Sequence, residues 1–194
     1  MTLQMHVLTL KETGHILAAV ARANSGPDPD VAALIGTDLP VVVPRHQGDP
    51  GAAVAVPVPA ELLEVKTLVY DPAVLAHPQA HIVDGGRVTR IPAPAGAPPP
   101  SPLFAGKVTV RGAVADIPVV VVVIGKDDPN VRRAQSGTIP PPPPLPAPAP
   151  PIQVDLTLRL LPGQEPPAAI PAGRDYFLLI AEGGSRLRLE RASL

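Results

Sequence analysis

Ile152-Gln-Val-Asp-Leu-Thr-Leu-Arg-Leu160 alternates apolar and polar residues without a break. Ile152, Val154, Leu156, Leu158 and Leu160 occupy one set of positions, and Gln153, Asp155, Thr157 and Arg159 the other. A strand has a side-chain period of two, so this spacing gives one apolar face and one polar face. A helix would scatter the same apolar groups around its circumference. The segment is therefore read as an amphipathic strand, and it sets the expectation for the chain: a mainly β fold.

The same pattern extends outward. Lys107-Val-Thr-Val-Arg111 alternates, with Val108 and Val110 on one face. Ile117-Pro-Val-Val-Val-Val-Val-Ile124 has no polar face, which is the signature of a strand covered on both sides. Nearer the N-terminus, His6–Leu10 and His15–Arg22 flank Lys-Glu-Thr-Gly14 and read as a hairpin, with a helix as the alternative for the second arm. Asp30 and Gly36 fit the cap and stop of one or two helical turns. Leu39-Pro-Val-Val-Val43 and Ala52-Ala-Val-Ala-Val-Pro-Val58 are strand-like, with prolines suited to edges or strand ends. Leu62–Tyr70 is the longest strand candidate of this half, closed by Asp71-Pro72. Ile82-Val83, Asp84-Gly-Gly86 and Arg87–Ile91 read as a last hairpin.

Half of the 30 prolines fall in two tracts, Ile91-Pro-Ala-Pro-Ala-Gly-Ala-Pro-Pro-Pro-Ser-Pro102 and Ile139-Pro-Pro-Pro-Pro-Pro-Leu-Pro-Ala-Pro-Ala-Pro-Pro151. Proline fixes φ and lacks a backbone donor, so both tracts interrupt regular structure and favour polyproline II. The expected organisation is a small β-rich module over residues 1–91, a proline-rich linker over 92–102, and a β-sandwich over 103–194 carrying residues 139–151 as an inserted loop. A single merged sandwich is the alternative.

The end of the chain specifies the sandwich further. Ile170-Pro-Ala-Gly-Arg-Asp-Tyr-Phe-Leu-Leu-Ile-Ala181 is followed by Glu-Gly-Gly-Ser and Arg186-Leu-Arg-Leu-Glu-Arg191. This stretch resembles the closing hairpin of immunoglobulin-like sandwiches, where a Pro-x-Gly-x-x-Tyr corner enters a buried strand and a Gly-rich turn leads to the last one. The resemblance implies that Tyr176 places its ring in the core and bonds its hydroxyl to the corner backbone. It bears on architecture and not on function.

Composition excludes more than it assigns. Net charge is −1 with no basic cluster, and aromatic residues make up 2% of the chain. Nucleic-acid binding needs a dense phosphate-facing charge and, for single strands, stacking platforms, so it is not expected. Cysteine is absent, which removes disulfides, thiolate metal sites and cysteine nucleophiles. The first twelve residues do not form a signal peptide, and the longest apolar run is too short to span a bilayer. The default expectation is cytoplasmic, with release as part of a particle as a further route. The Arg, Ala, Pro and Val bias is that of a GC-rich bacterial genome.

Candidate chemistry is thin. His77-Pro-Gln-Ala-His81 has the i, i+4 spacing that brings two imidazoles to one metal on a helix, and Asp84, with Asp71, is available to complete a set. Pro78 is restricted to the first turn of such a helix, and no Glu follows His77 as a metalloprotease motif requires. Two solvated loop histidines are the competing reading. Asp127-Asp128-Pro-Asn130 lacks calcium-loop spacing and reads as a turn. Glu61 with Glu64, and Asp28 with Asp30, read as solvated surface. No nucleophile elbow, phosphate loop or dinucleotide fingerprint occurs. No cofactor is expected.

The proline run Pro140, Pro141, Pro142, Pro143, Pro144, Leu145, Pro146 is the candidate partner-binding segment, as a Pro-rich ligand for an aromatic groove. Alternatively, residues 140–151 form a stiff spacer of roughly 35–40 Å at ~3.1 Å per residue. The expected function is a non-catalytic structural or adaptor subunit of a larger bacterial assembly, such as a phage-tail-like or other multi-subunit particle, with protein partners or self-assembly. The alternative is a sandwich binding module for a small ligand, glycan or peptide. A metal-dependent hydrolase ranks below both.

Overall fold

The computed structural model describes residues 3–22, 27–43, 54–91, 103–104, 107–111, 117–126, 132–138, 153–157, 174–184 and 187–193. The fold is mainly β, with antiparallel sheets and two short helices.

The first sheet is built from β1 (Gln4–Leu10), β2 (Ile16–Ala21) and β5 (Leu63–Val69), in the order β2-β1-β5. The hairpin expectation for β1 and β2 holds. One face of this sheet carries Met5 and Val7 of β1 and Ile16 of β2, packed with Val74 of helix α2 (Pro72–Ala76) and Val83 of β6 (His81–Asp84). Between β2 and β5 lie helix α1 (Val31–Ile35) and the ribbon of β3 (Asp38–Val43) with β4 (Val54–Pro59), followed by a 3-10 turn at Ala60–Leu62. Asp30 caps α1 by accepting from the Ala33 N–H at 2.6 Å, and Gly36 ends it, as the sequence predicts.

β6 pairs with β7 (Arg87–Arg90) through a two-residue turn in which Gly85 has φ 52° and Gly86 φ 79°. Positive φ at both positions is the type I′ requirement that the paired glycines meet.

The second large sheet has the order β11-β10-β13-β14, from β10 (Pro118–Gly125), β11 (Arg132–Thr138), β13 (Asp175–Glu182) and β14 (Arg188–Ser193). A further sheet joins β8 (Leu103–Phe104), β9 (Lys107–Arg111) and β12 (Gln153–Thr157) in the order β12-β9-β8. The two alternating segments of the sequence, β9 and β12, lie side by side with Val110 opposite Val154 and Val108 opposite Leu156.

Every residue of β10 from Val119 to Gly125 is buried, so the strand without a polar face is covered on both sides. One face presents Val120, Val122 and Ile124, with Phe177, Leu179 and Ala181 of β13. These share one cluster with Leu10, Leu17, Val41, Val56, Val58 and Leu63. The cluster thus draws on residues from both sides of the first proline tract. The opposite face, with Val119, Val121, Val123, Tyr176, Leu178 and Ile180, is equally buried.

Besides the 3-10 turns, one helix and two strands are not evident from the sequence. α2 follows Asp71-Pro72, a pair whose sequence signal is that of a strand terminator. Asp71 accepts from the Ala73 N–H at 2.8 Å and Pro72 occupies the first turn, where its missing donor is harmless. β11 (Arg-Arg-Ala-Gln-Ser-Gly-Thr) carries no apolar alternation, and is specified by its ladder with the valine run of β10. β8 is two residues long.

Candidate functional site

The imidazoles lie in the first half of the chain, and their surroundings decide what they can do. His15 is fully buried, and its Nδ1 shares a 2.8 Å hydrogen bond with the Thr13 hydroxyl. Its backbone bridges Ile82, while Gly14 between them accepts from the Val83 N–H at 2.8 Å. Gly14 has φ 71°, and a Cβ there would collide with the Val83 carbonyl oxygen. The group therefore clasps the β1–β2 turn against β6.

His81 is buried, and its Nδ1 donates to the His77 carbonyl at 3.0 Å. His77 is exposed at the C-terminus of α2, and Asp84 is exposed beside the Gly85-Gly86 turn. The segment 77–81 is not one α-helix: α2 stops at Ala76, a 3-10 turn covers Pro78–Ala80, and His81 opens β6. The i, i+4 spacing therefore lacks helical geometry. Among the described residues, no three His, Asp or Glu side chains gather closely enough to hold a metal ion. Asp71 is used as a helix cap.

Three of the four paired acids are engaged in local structure. Asp28 pairs with Arg22 at 2.7 Å and Asp30 caps α1. Glu61 is exposed, while Glu64 pairs with Lys66 at 2.8 Å. The Pro140–Pro146 segment, Asp127, Asp128, Asn130 and the corner before Tyr176 lie outside the described residues. Tyr176 itself is fully buried, opposite Gly125 and Ala192.

A second polar cluster, which sequence reading missed, lies at the end of the β13–β14 ladder. Arg188 donates from Nη1 to Glu182 and from Nε to Glu190, the latter at 2.7 Å. All three side chains are about nine-tenths buried. Arg188 and Glu190 occupy alternate positions of β14, a spacing that reads as surface until the register places them on the buried face. A buried cation between two carboxylates is held by pairing, because either charge type alone would be costly to desolvate. The cluster ties the end of β13 to β14.

The most accessible chemistry is backbone. The Tyr70 N–H bonds to the Leu3 carbonyl, and the Lys11 N–H to the Leu62 carbonyl, both at 2.9 Å. With the β1–β5 register between them, these bonds assign residues 62, 64, 66, 68 and 70 to the β1 side of the ladder. The N–H groups of Val65, Thr67 and Val69 and the C=O groups of Leu63, Val65, Thr67 and Val69 therefore point to the outer edge, where no strand pairs with them among the described residues, while the Leu63 N–H is held by the Ala60 carbonyl. At one end of the sheet Leu3 (65% exposed) stands opposite Tyr70 (37%), and Val69 (67%), the last residue of β5, is exposed on the other face. Among the described residues no helix is long and apolar enough to cross a membrane.

No family model matches this chain, and no curated protein or solved structure matches it.

Proposed function

We propose that this chain is a non-catalytic structural or adaptor subunit that docks into a larger bacterial protein assembly, in the manner of a multi-subunit particle. The observation that carries this reading is the open outer edge of β5, with exposed Leu3, Val69 and Tyr70 at its end. Unpaired strand edges template the addition of another strand, and exposed apolar side chains on either face beside one add area to the contact. The polar clusters support the same reading, since their hydrogen bonds serve the turn, the helix caps and the ladder. In this proposal β11-β10-β13-β14 and β12-β9-β8 are the two leaves of an immunoglobulin-like sandwich. The tract containing Pro140–Pro146 lies along a neighbouring subunit.

The test is the size of the native species. The chain, tagged and expressed at its natural level in its source, is fractionated by size from a gentle extract. It is expected in fractions far heavier than the 20.0 kDa of one copy. Recovery of the whole pool at the mass of one copy would refute the reading.

A further inference from the structure

We infer that the outer edge of β5 pairs with the β5 of a second copy of this chain, antiparallel and about a two-fold axis through Val65. This rests on the reading of the chain as an assembly subunit and names its first partner.

The outward groups of β5 belong to the odd-numbered residues 63, 65, 67 and 69, as the β1–β5 hydrogen bonds require. A two-fold pair between identical strands must place residue i opposite residue j and j opposite i. Side chains on opposed residues also share a face of the sheet. Directly opposed residues must then both be odd or both be even. Within the strand, axes that oppose at least three residues run through Glu64, Val65, Lys66, Thr67 or Leu68, and the one through Val65 opposes five, 63 to 67, whereas the one through Leu68 opposes only 67 to 69.

The charges choose among them. An axis through Glu64 sets two carboxylates opposite each other, and one through Lys66 sets two ammonium groups opposite each other, which is destabilising. An axis through Thr67 places Lys66 opposite Leu68. The axis through Val65 places Glu64 opposite Lys66 of the second copy, and Lys66 opposite its Glu64. Val65 then meets Val65 in a hydrogen-bonded pair, and on either side of it the Thr67 N–H of one copy meets the Leu63 carbonyl of the other, the Leu63 N–H being held by its own Ala60 carbonyl. Glu64 and Lys66 fall at the non-hydrogen-bonded positions between them, where opposed side chains stand closest. Both are part-exposed, and they already attract within one strand at 2.8 Å, so each is placed to exchange its partner for the one across the axis. The product is a continuous sheet, β2-β1-β5-β5-β1-β2.

The experiment uses sedimentation equilibrium of the purified full chain, with circular dichroism as the folding control. The wild type is expected to be a dimer. E64K and K66E each turn two attractive contacts into two repulsive ones and should weaken self-association about tenfold or more. An equimolar mixture of the two variants restores both attractive contacts and should form a heterodimer of near wild-type affinity. The double variant E64K/K66E should again dimerise with itself. Restored pairing in the mixture cannot arise from the contact within one strand, because each single variant has lost it. A monomeric wild type, a dimer indifferent to both reversals, or a mixture that stays apart would each overturn the proposal. A heavy native particle together with any of these results would leave the assembly reading standing and remove only the self-pairing.

Discussion

Replacing Gly14 with alanine tests whether the β1–β2 turn is clasped to β6 through its backbone. Gly14 has φ 71°, and its absent Cβ is the space taken by the Val83 carbonyl. Left-handed backbone at an L-residue costs about 1–2 kcal/mol. The clash adds to that by moving Val83, whose N–H bonds to the Gly14 carbonyl at 2.8 Å; losing such a bond costs about 1 kcal/mol. Val83 is also packed with Met5, Val7, Ile16 and Val74, and full exposure of a side chain of this kind costs about 1.5–3 kcal/mol, of which partial opening forfeits a fraction. The expected loss for Gly14→Ala is about 3–5 kcal/mol. Gly85→Ala is the control, because φ there is 52° and nothing lies within 4 Å of a Cβ, so only about 1–2 kcal/mol is at stake. In urea unfolding, at about 2 kcal/mol per molar, the midpoint should fall by roughly 1.5–2.5 M for Gly14→Ala and by about 1 M or less for the control. Equal shifts in the two variants would refute the clasp.

Arg188→Ala should destabilise the chain by about 3–5 kcal/mol, because it leaves the carboxylates of Glu182 and Glu190 buried without their cation. Arg188→Met combined with Glu182→Gln and Glu190→Gln should be markedly less damaging in the same urea titration, and a triple variant as unstable as the single one would contradict the ion-pair account. Residues 1–91 expressed alone should fail to unfold cooperatively, since Leu10, Leu17, Val41, Val56, Val58 and Leu63 lose the cover of Val120, Val122, Ile124, Phe177, Leu179 and Ala181. Each such side chain contributes about 1.5–3 kcal/mol when fully buried, against a total stability of about 5–15 kcal/mol, so a sharp unfolding transition of the fragment would show that the shared cluster is dispensable.

The strands were legible wherever one local pattern decided them. Period two revealed β9 and β12, an unbroken valine run revealed β10, and the Gly-Gly pair revealed the β6–β7 turn. β11 was hidden because Arg-Arg-Ala-Gln-Ser-Gly-Thr has no periodicity of its own; it is a strand because β10 offers it a ladder. α2 was hidden by a true reading taken too far. Asp71-Pro72 does end β5, but an Asp followed by Pro also opens a helix, and the apolar Val74 then has a core to enter. The site was less legible than the fold. His77 and His81 attracted notice through spacing, whereas His15, the fully buried imidazole, carried no motif. Glu182, Arg188 and Glu190 became a cluster only through the β13–β14 register, and the open edge of β5 appears only after the parity of its hydrogen bonds is known.

That parity also explains where the prolines within strands sit. Pro40 and Pro57 are directly opposite in the β3–β4 ribbon. The Ala60 N–H bonds to the Thr37 carbonyl at 2.8 Å, so the hydrogen-bonded pairs of this ladder are 37 with 60, 39 with 58, and 41 with 56. Pro40 and Pro57 therefore fall where a backbone N–H would point away from the ladder, one toward each outer edge. Their missing donors take nothing from the ribbon and remove a docking point from both of its sides. β5 is treated in the opposite way. It runs between Pro59 and Pro72 with no proline from Leu63 to Val69, and past Leu63, whose N–H closes the 3-10 turn on Ala60, the outward donors of Val65, Thr67 and Val69 are retained. An edge kept only from aggregating is blunted, as the β3–β4 ribbon is. An edge meant to be occupied must keep its donors and discriminate among partners by other means, and Glu64 and Lys66, at alternate positions of the same strand, supply that discrimination.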